Sequence, residues 1–304
     1  MLSIGLKIAP IFLLILMGYT FRRINFPGQG FWRPAENLAY YVLLPSLIIA
    51  NLAKADLTSL PVKDIGVTIV AIACTLTLFV IILRPLFRMS GPSFTSVLQG
   101  AIRINAYIAF AIANLLFGSE GIVLCALFVA IMMPVVNVIC IAALALSIKT
   151  GPTDWLSIPK QIIQNPIIIA CAIGWMINGY SISLPYVVIE LLGILARAAL
   201  PLALLTVGAG LVIALSGARY LGLITACTLK LIAMPLAAAI IMGFTGLTGV
   251  TSATVMLFAA CPASPASYIL ARQLGGDAPL MAAILTAETL LSILAIPVVI
   301  HWAT

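Results

Sequence analysis

Residues 260–267 read Ala-Cys-Pro-Ala-Ser-Pro-Ala-Ser, in the middle of an apolar run from about residue 250 to 274. A run of that length can cross hydrocarbon, which takes roughly 20 apolar residues in a helix. Pro262 and Pro265, however, remove two N–H donors and obstruct the carbonyls four residues earlier, so an unbroken helix is not expected. In lipid each freed backbone group costs on the order of several kcal/mol, tolerable only where protein, water or a ligand satisfies it. The stretch is therefore either a break lining a polar cavity or a proline kink repaired by the Ser264 and Ser267 hydroxyls.

Lipid is the solvent that the rest of the chain demands. Hydrophobic residues make up 63% of it and charged residues 8%, against roughly a quarter charged in soluble domains. Apolar runs between charged or Gly/Pro-rich joins predict ten transmembrane helices, roughly 3–21, 36–54, 64–84, 93–117, 120–147, 159–179, 188–215, 217–243, 250–274 and 278–301. The fold class is thus an all-α membrane protein. The first run has no basic cluster before it and Arg22-Arg23 after it, the reverse of a signal peptide, and reads as a retained first helix.

The net charge of +7 is explained by topology rather than by nucleic acid. Arg22, Arg23, Arg33, Arg84, Arg88, Lys149, Lys160, Arg219 and Arg272 fall in the loops after odd-numbered spans, and only Lys7, Lys54 and Lys63 fall on the other side. That asymmetry places the odd loops in the cytoplasm of a bacterial inner membrane, with both termini outside. The six cysteines, all within apolar runs and without metal-type spacing, read as reduced packing residues. No cofactor or metal is implied.

One offset recurs along the chain. Pro10 and Pro166, Gly18 and Gly174, and Pro45 and Pro201 are each 156 residues apart, and Phe117-Gly-Ser-Glu120 resembles Leu274-Gly-Gly-Asp277 at 157. Residues 1–155 and 156–304 therefore read as two five-helix repeats. Five is odd, so the second repeat enters from the opposite side, an inverted-topology duplication common among secondary transporters. Such carriers bind substrate near mid-membrane where discontinuous helices meet. Counting back 156 residues from Cys261 reaches Asn105, inside Arg103-Ile104-Asn105-Ala106-Tyr107.

The candidate substrate site is therefore Arg103, Asn105, Ala106 and Tyr107 with Cys261, Pro262, Ala263 and Ser264, and Asn51 opposite the breaks. For Asn105 the alternative is an ordinary interhelical hydrogen bond. Ionisable residues inside a bilayer are functional suspects, and Arg103, Lys230 and Glu288 fall near mid-span with a sum of +1. That sum suits an anion, and Glu288 with Lys230 is the candidate ion-coupling pair. A purely structural pair of Glu288 with Arg103 or Lys230 is the competing reading.

With these residues in place, the sequence resembles the auxin efflux carrier family in its bacterial branch. The resemblance is carried by Ile8-Ala-Pro-Ile-Phe12 with Gly18, Leu44-Pro-Ser-Leu47, Asn165-Pro166, Pro201-Leu-Ala-Leu-Leu205 with Gly208, and Cys261-Pro-Ala-Ser264 followed by Ala271, Gly275 and Asp277. It implies that spans 4 and 9 are broken and cross at the substrate site. It implies a scaffold of spans 1, 2, 6 and 7 against a transport unit of spans 3–5 and 8–10, and a homodimer as in the plant branch. The implied substrates are carboxylates, auxin-like or malonate-like. Plant members tend to have proline at both breaks, whereas this sequence has it only in span 9.

The leading expectation is an alternating-access carrier of small organic anions, by efflux or exchange. The alternative is a sodium- or proton-coupled carrier of the related crossover fold, although no acidic residue lies between 100 and 117 or between 255 and 270. An enzyme would need a titratable cluster or metal ligands. A single His301 near the C-terminus and scattered acids offer neither.

Overall fold

The structure, a computed structural model, describes residues 2–55, 60–148, 160, 163–212 and 220–303. Its elements are α1 (Leu2–Arg23), α2 (Trp32–Leu52), α3 (Val62–Leu86), α4 (Gly91–Ile102), α5 (Ala106–Ser147), α6 (Pro166–Gly179), α7 (Tyr186–Ala209), α8 (Tyr220–Thr245), α9 (Gly249–Ala260), α10 (Ala266–Gln273) and α11 (Ala278–Ala303). No strand occurs among the described residues. Among the described residues, seven helices or helix runs are long and apolar enough to cross a membrane, while α6 and α9 are shorter apolar helices.

Several boundaries move for identifiable reasons. In the run expected from residue 159, Lys160 and Ile163 are helical, and α6 starts afresh at Pro166, where Asn165 caps it: its Oδ1 accepts from the N–H groups of Ile167 and Ile168. The proline occupies the first helical position, where a missing N–H is harmless. The helix expected to reach residue 215 stops at Ala209, and Thr286 of α11 clamps the chain beyond it, donating to Val212 O and accepting from Val212 N. Lys149 and Arg219, two of the orienting basic residues, lie outside the described residues.

The stretch expected as spans 4 and 5, residues 93–117 and 120–147, is interrupted at two places. A three-residue gap at 103–105 separates α4 from α5, and α5 then runs to Ser147 through one non-helical residue, Gly118, with φ 61° and ψ −142°. Only glycine reaches such a backbone without steric cost. The chain folds back there, since Cys125 Sγ lies 3.7 Å from Ala109 O, sixteen residues away and about 24 Å along a straight helix. Among the described residues, widened π-turns also interrupt two helices, at Ala39–Leu43 in α2 and Leu229–Ala233 in α8. Each leads into a proline, Pro45 or Pro235, whose missing N–H and bulky ring unsettle the preceding turn.

Two packing groups emerge. In one, α1 lies against α7, and α2 against α6 and α7. The α1–α7 approach is close: a Cβ at Gly18 would strike the Leu205 carbonyl, and one at Gly208 the Ile15 carbonyl. Such small residues let helix backbones touch where lipid offers no hydrophobic drive to association. In the other group α3, α4 and α5 pack with α8, α9 and α11, and α10 lies on α4 and α11. At one end Asp277 ties α4 to α11, accepting from Ser93 Oγ at 3.2 Å and from Leu280 N at 3.1 Å.

Candidate functional site

Both interruptions that leave a gap between helices lie together. Residues 103–105 separate α4 from α5, residues 261–265 separate α9 from α10, and the Asn105 N–H donates to Pro262 O at 2.7 Å. That bond uses one donor and one acceptor which the broken helices would otherwise leave bare in a buried place. Asn105 also caps α5: its Oδ1 accepts from Tyr107 N at 3.1 Å and Ile108 N at 3.3 Å, and its own carbonyl accepts from Ala109 N. Its side chain is therefore an acceptor at a helix start, with its amide NH2 group directed elsewhere.

The second break is held by a carboxyl group. Ala263 N–H donates to Glu288 Oε2 of α11 at 2.8 Å. Downstream, Ser264 closes the first turn of α10, its carbonyl accepting from Ser267 N and its Oγ from Ala266 N at 3.3 Å. The Ser264 hydroxyl thus repairs the helix start, whereas the Ser267 hydroxyl, expected as a second repair, is buried without a partner. Among the described residues no protein acceptor meets the N–H groups of Ile104, Ala106 or Ser264. Ala106 and Ser264 are half-buried rather than sealed. Each stands at the beginning of a helix, α5 or α10, so the positive ends of two helix dipoles face the crossing.

The ionisable residues divide into two places. Lys230 and Glu288 are both fully buried and interact electrostatically with each other and with the neighbourhood of Cys261. The Lys230 ammonium donates to Met234 Sδ at 3.1 Å, and Glu288 Oε1 has no hydrogen-bond partner. Among the described residues Arg103 is bound to no acid: its Nη2 donates to Asn137 Oδ1 at 3.0 Å, and its Nη1 is buried and unpartnered. With Lys230 and Glu288 opposing one another, the surplus charge near the crossing resides on Arg103.

Asn51 is not drawn into this hydrogen-bond network; its Nδ2 donates to Leu47 O of its own helix at 2.8 Å. On the same helix Glu36 and Tyr40 lie one turn apart. Tyr107 is within electrostatic reach of both, and the Tyr40 hydroxyl lies beside Asn165 and near Arg103. Sequence reasoning passed over this pair because Glu36 stands at the edge of an apolar run beside Arg33, where an interfacial residue is the ordinary reading. Gln99, fully buried with neither amide atom partnered, and Asn137 were missed too. Their signal was present, since a polar amide in a long apolar run demands a partner.

Below the break, towards the end of the molecule that carries Arg22 and Arg272, a cavity of about 530 Å³ opens between α1, α2, α7 and α10, lined by Arg22, Trp32, Arg33, Glu36, Tyr268 and Arg272 among others.

Comparison with known proteins agrees with a membrane carrier. A protein of Methanothermobacter thermautotrophicus described as an uncharacterized transporter is 23% identical over 290 residues, 94% of each chain. The second half of this chain, which contains the Pro262 break and Glu288, matches the sequence model for membrane transport proteins over residues 155–300. By that match the second half of this multi-pass chain is similar to membrane transport proteins, and the chain reads as a transporter.

Proposed function

We propose that the chain is a secondary active carrier of small organic anions, carboxylates above all, working by alternating access. In this reading ten membrane spans form two inverted five-helix halves, residues 1–155 and 156–304. Spans 4 and 9 are the broken pairs α4–α5 and α9–α10, and span 5 is the part of α5 beyond Gly118. Packing supports the duplication. Gly18 of α1 meets Leu205 of α7, and Gly174 of α6 meets Ile49 and Leu52 of α2; shifting Gly18 and Leu205 by 156 in opposite directions gives Gly174 and Ile49. The group of α1, α2, α6 and α7 is then the scaffold, and the remainder the moving unit.

The observation that carries the anion reading is the set of donors at the crossing. Free N–H groups at Ala106 and Ser264 begin two helices, and the unpaired Nη1 of Arg103 adds positive charge nearby. Helix starts of this kind hold carboxylates in broken-helix carriers. The substrate carboxylate would accept from these N–H groups, with Tyr107 and Cys261–Ala263 forming the walls. The arginine-rich end would face the cytoplasm, by the charge asymmetry of the loops. Thermal-shift of the purified protein against mono- and dicarboxylates, amino acids and indole acids tests this. Stabilisation by one or more carboxylates, and uptake of that compound into proteoliposomes, is expected; stabilisation by cations alone would overturn it.

A second reading concerns coupling and rests on Glu288. Its Oε2 binds the break at Ala263 while its Oε1 has no partner, so the carboxylate is placed to exchange a proton, or to meet a cation, during the cycle. Lys230 would then serve as its resident counter-charge. A homodimer remains part of the proposal on resemblance to the plant branch.

A further inference from the structure

We propose that the cavity between α1, α2, α7 and α10 is a separate carboxylate-capture site on the arginine-rich face, feeding the crossing; this rests on the anion-carrier reading above. Arg22 closes α1, Arg33 lies in the first turn of α2 and Arg272 in the last turn of α10, and all three line the same cavity of about 530 Å³ against a single acid, Glu36. Three guanidiniums facing one carboxylate leave a surplus of two positive charges, and Arg offers the fork geometry that carboxylates accept. Basic residues gather on one side of membrane proteins for topology alone, so charge by itself would not mark a site.

The cavity has a second, independent feature. Trp32 lines it, is 5% exposed, and its indole N–H is buried without a hydrogen-bond partner. Buried Trp N–H groups ordinarily find an acceptor, and an anion in the cavity that Trp32 and Arg33 both line would bring the missing one. The cavity also leads somewhere. Tyr268 in its wall is on α10, three residues beyond Pro265 of the break, about 4.5 Å along a helix. Glu36 in its wall interacts with Tyr107, two residues beyond Asn105. An anion held here is one short step from the crossing. It also bridges α10, in the moving unit, to α1, α2 and α7, so it binds only while that face is open.

The consequence is sided. Electrostatic capture raises local substrate concentration and weakens with salt. It should therefore act on KM from the arginine-rich face and leave the other face untouched. The probe is the carboxylate with the largest thermal shift, assayed in vesicles of known orientation made from zwitterionic lipid. Arg33→Gln with Arg272→Gln should raise KM from the arginine-rich face about fivefold, with the maximal rate and the KM from the opposite face unchanged. The rise of KM with ionic strength at that face should flatten. Trp32→Phe, which keeps the ring and removes the N–H, should raise KM in the same sided way. Melting temperature in detergent serves as the folding control. Equal KM values for wild type and the double variant at both faces would overturn the proposal while leaving the carrier reading intact. A wild type that neither binds nor moves any carboxylate removes the carrier reading itself. An effect that appears only with anionic lipid in the vesicle would assign the cavity to a lipid headgroup, and the proposal fails.

Discussion

At the scale of single residues, two side chains hold the site open in different ways. Asn105 satisfies two N–H groups at the start of α5 through one oxygen, a cap worth about 1 kcal/mol when replaced by alanine. Asn105→Ala should therefore fold, with melting lowered by only a few degrees, yet carry substrate at least tenfold more slowly in proteoliposomes. A fall in transport that tracks a collapse in melting temperature would mean that Asn105 is structural only. Glu288 holds Ala263 N–H through Oε2, and glutamine retains an oxygen able to accept that bond while losing the charge. Glu288→Gln should accordingly keep the break and its substrate-induced thermal shift but flatten the pH dependence of uptake. Unchanged pH dependence would remove Glu288 from the coupling step.

At the scale of elements, the two breaks were legible to unequal degrees. Pro262 and Pro265 announce the one between α9 and α10, because their effect on a helix is local and independent of context. The gap between α4 and α5 has no proline, and the 156-residue offset and the family resemblance pointed to it instead. It is held open by a tertiary bond, Asn105 N to Pro262 O, and no local propensity encodes a partner so distant in sequence. The same limit hid Glu36 and Tyr40, whose relevance depends on what α2 faces. Conversely, Gly18 and Gly208 were visible as motif residues, but only packing gives their reason. Gly208→Leu should lower the melting temperature substantially in detergent by forcing α1 from α7. Gly243→Leu, at an exposed glycine where an added Cβ would meet nothing within 4 Å, should leave it nearly unchanged. Replacing Pro262 and Pro265 together by alanine should lengthen the helix across the break and abolish transport while preserving the fold. Retained transport would show that the prolines are dispensable to the opening.

At the scale of the whole molecule, the alternating-access reading requires the group containing α1, α2, α6 and α7 to move against the remainder. The cavity beside α10 lies on that boundary. Cysteines introduced at Thr206 of α7 and Tyr268 of α10, both in the cavity wall, should be bridged by a bifunctional thiol reagent, and bridging should stop transport reversibly on reduction of a cleavable linker. Full activity in the bridged protein would contradict the motion. The native thiols do not preclude the test, since Cys125, Cys140, Cys171 and Cys261 are buried and only Cys74 and Cys227 retain exposure. The contact between Asn105 and Pro262 also bears on counting. Two interruptions, one from each half of the chain, are joined by a hydrogen bond into a single opening, so the number of seats is not doubled with the number of breaks. Calorimetric titration of the Arg33→Gln, Arg272→Gln protein, in which the outer capture site is weakened, should return one carboxylate per chain.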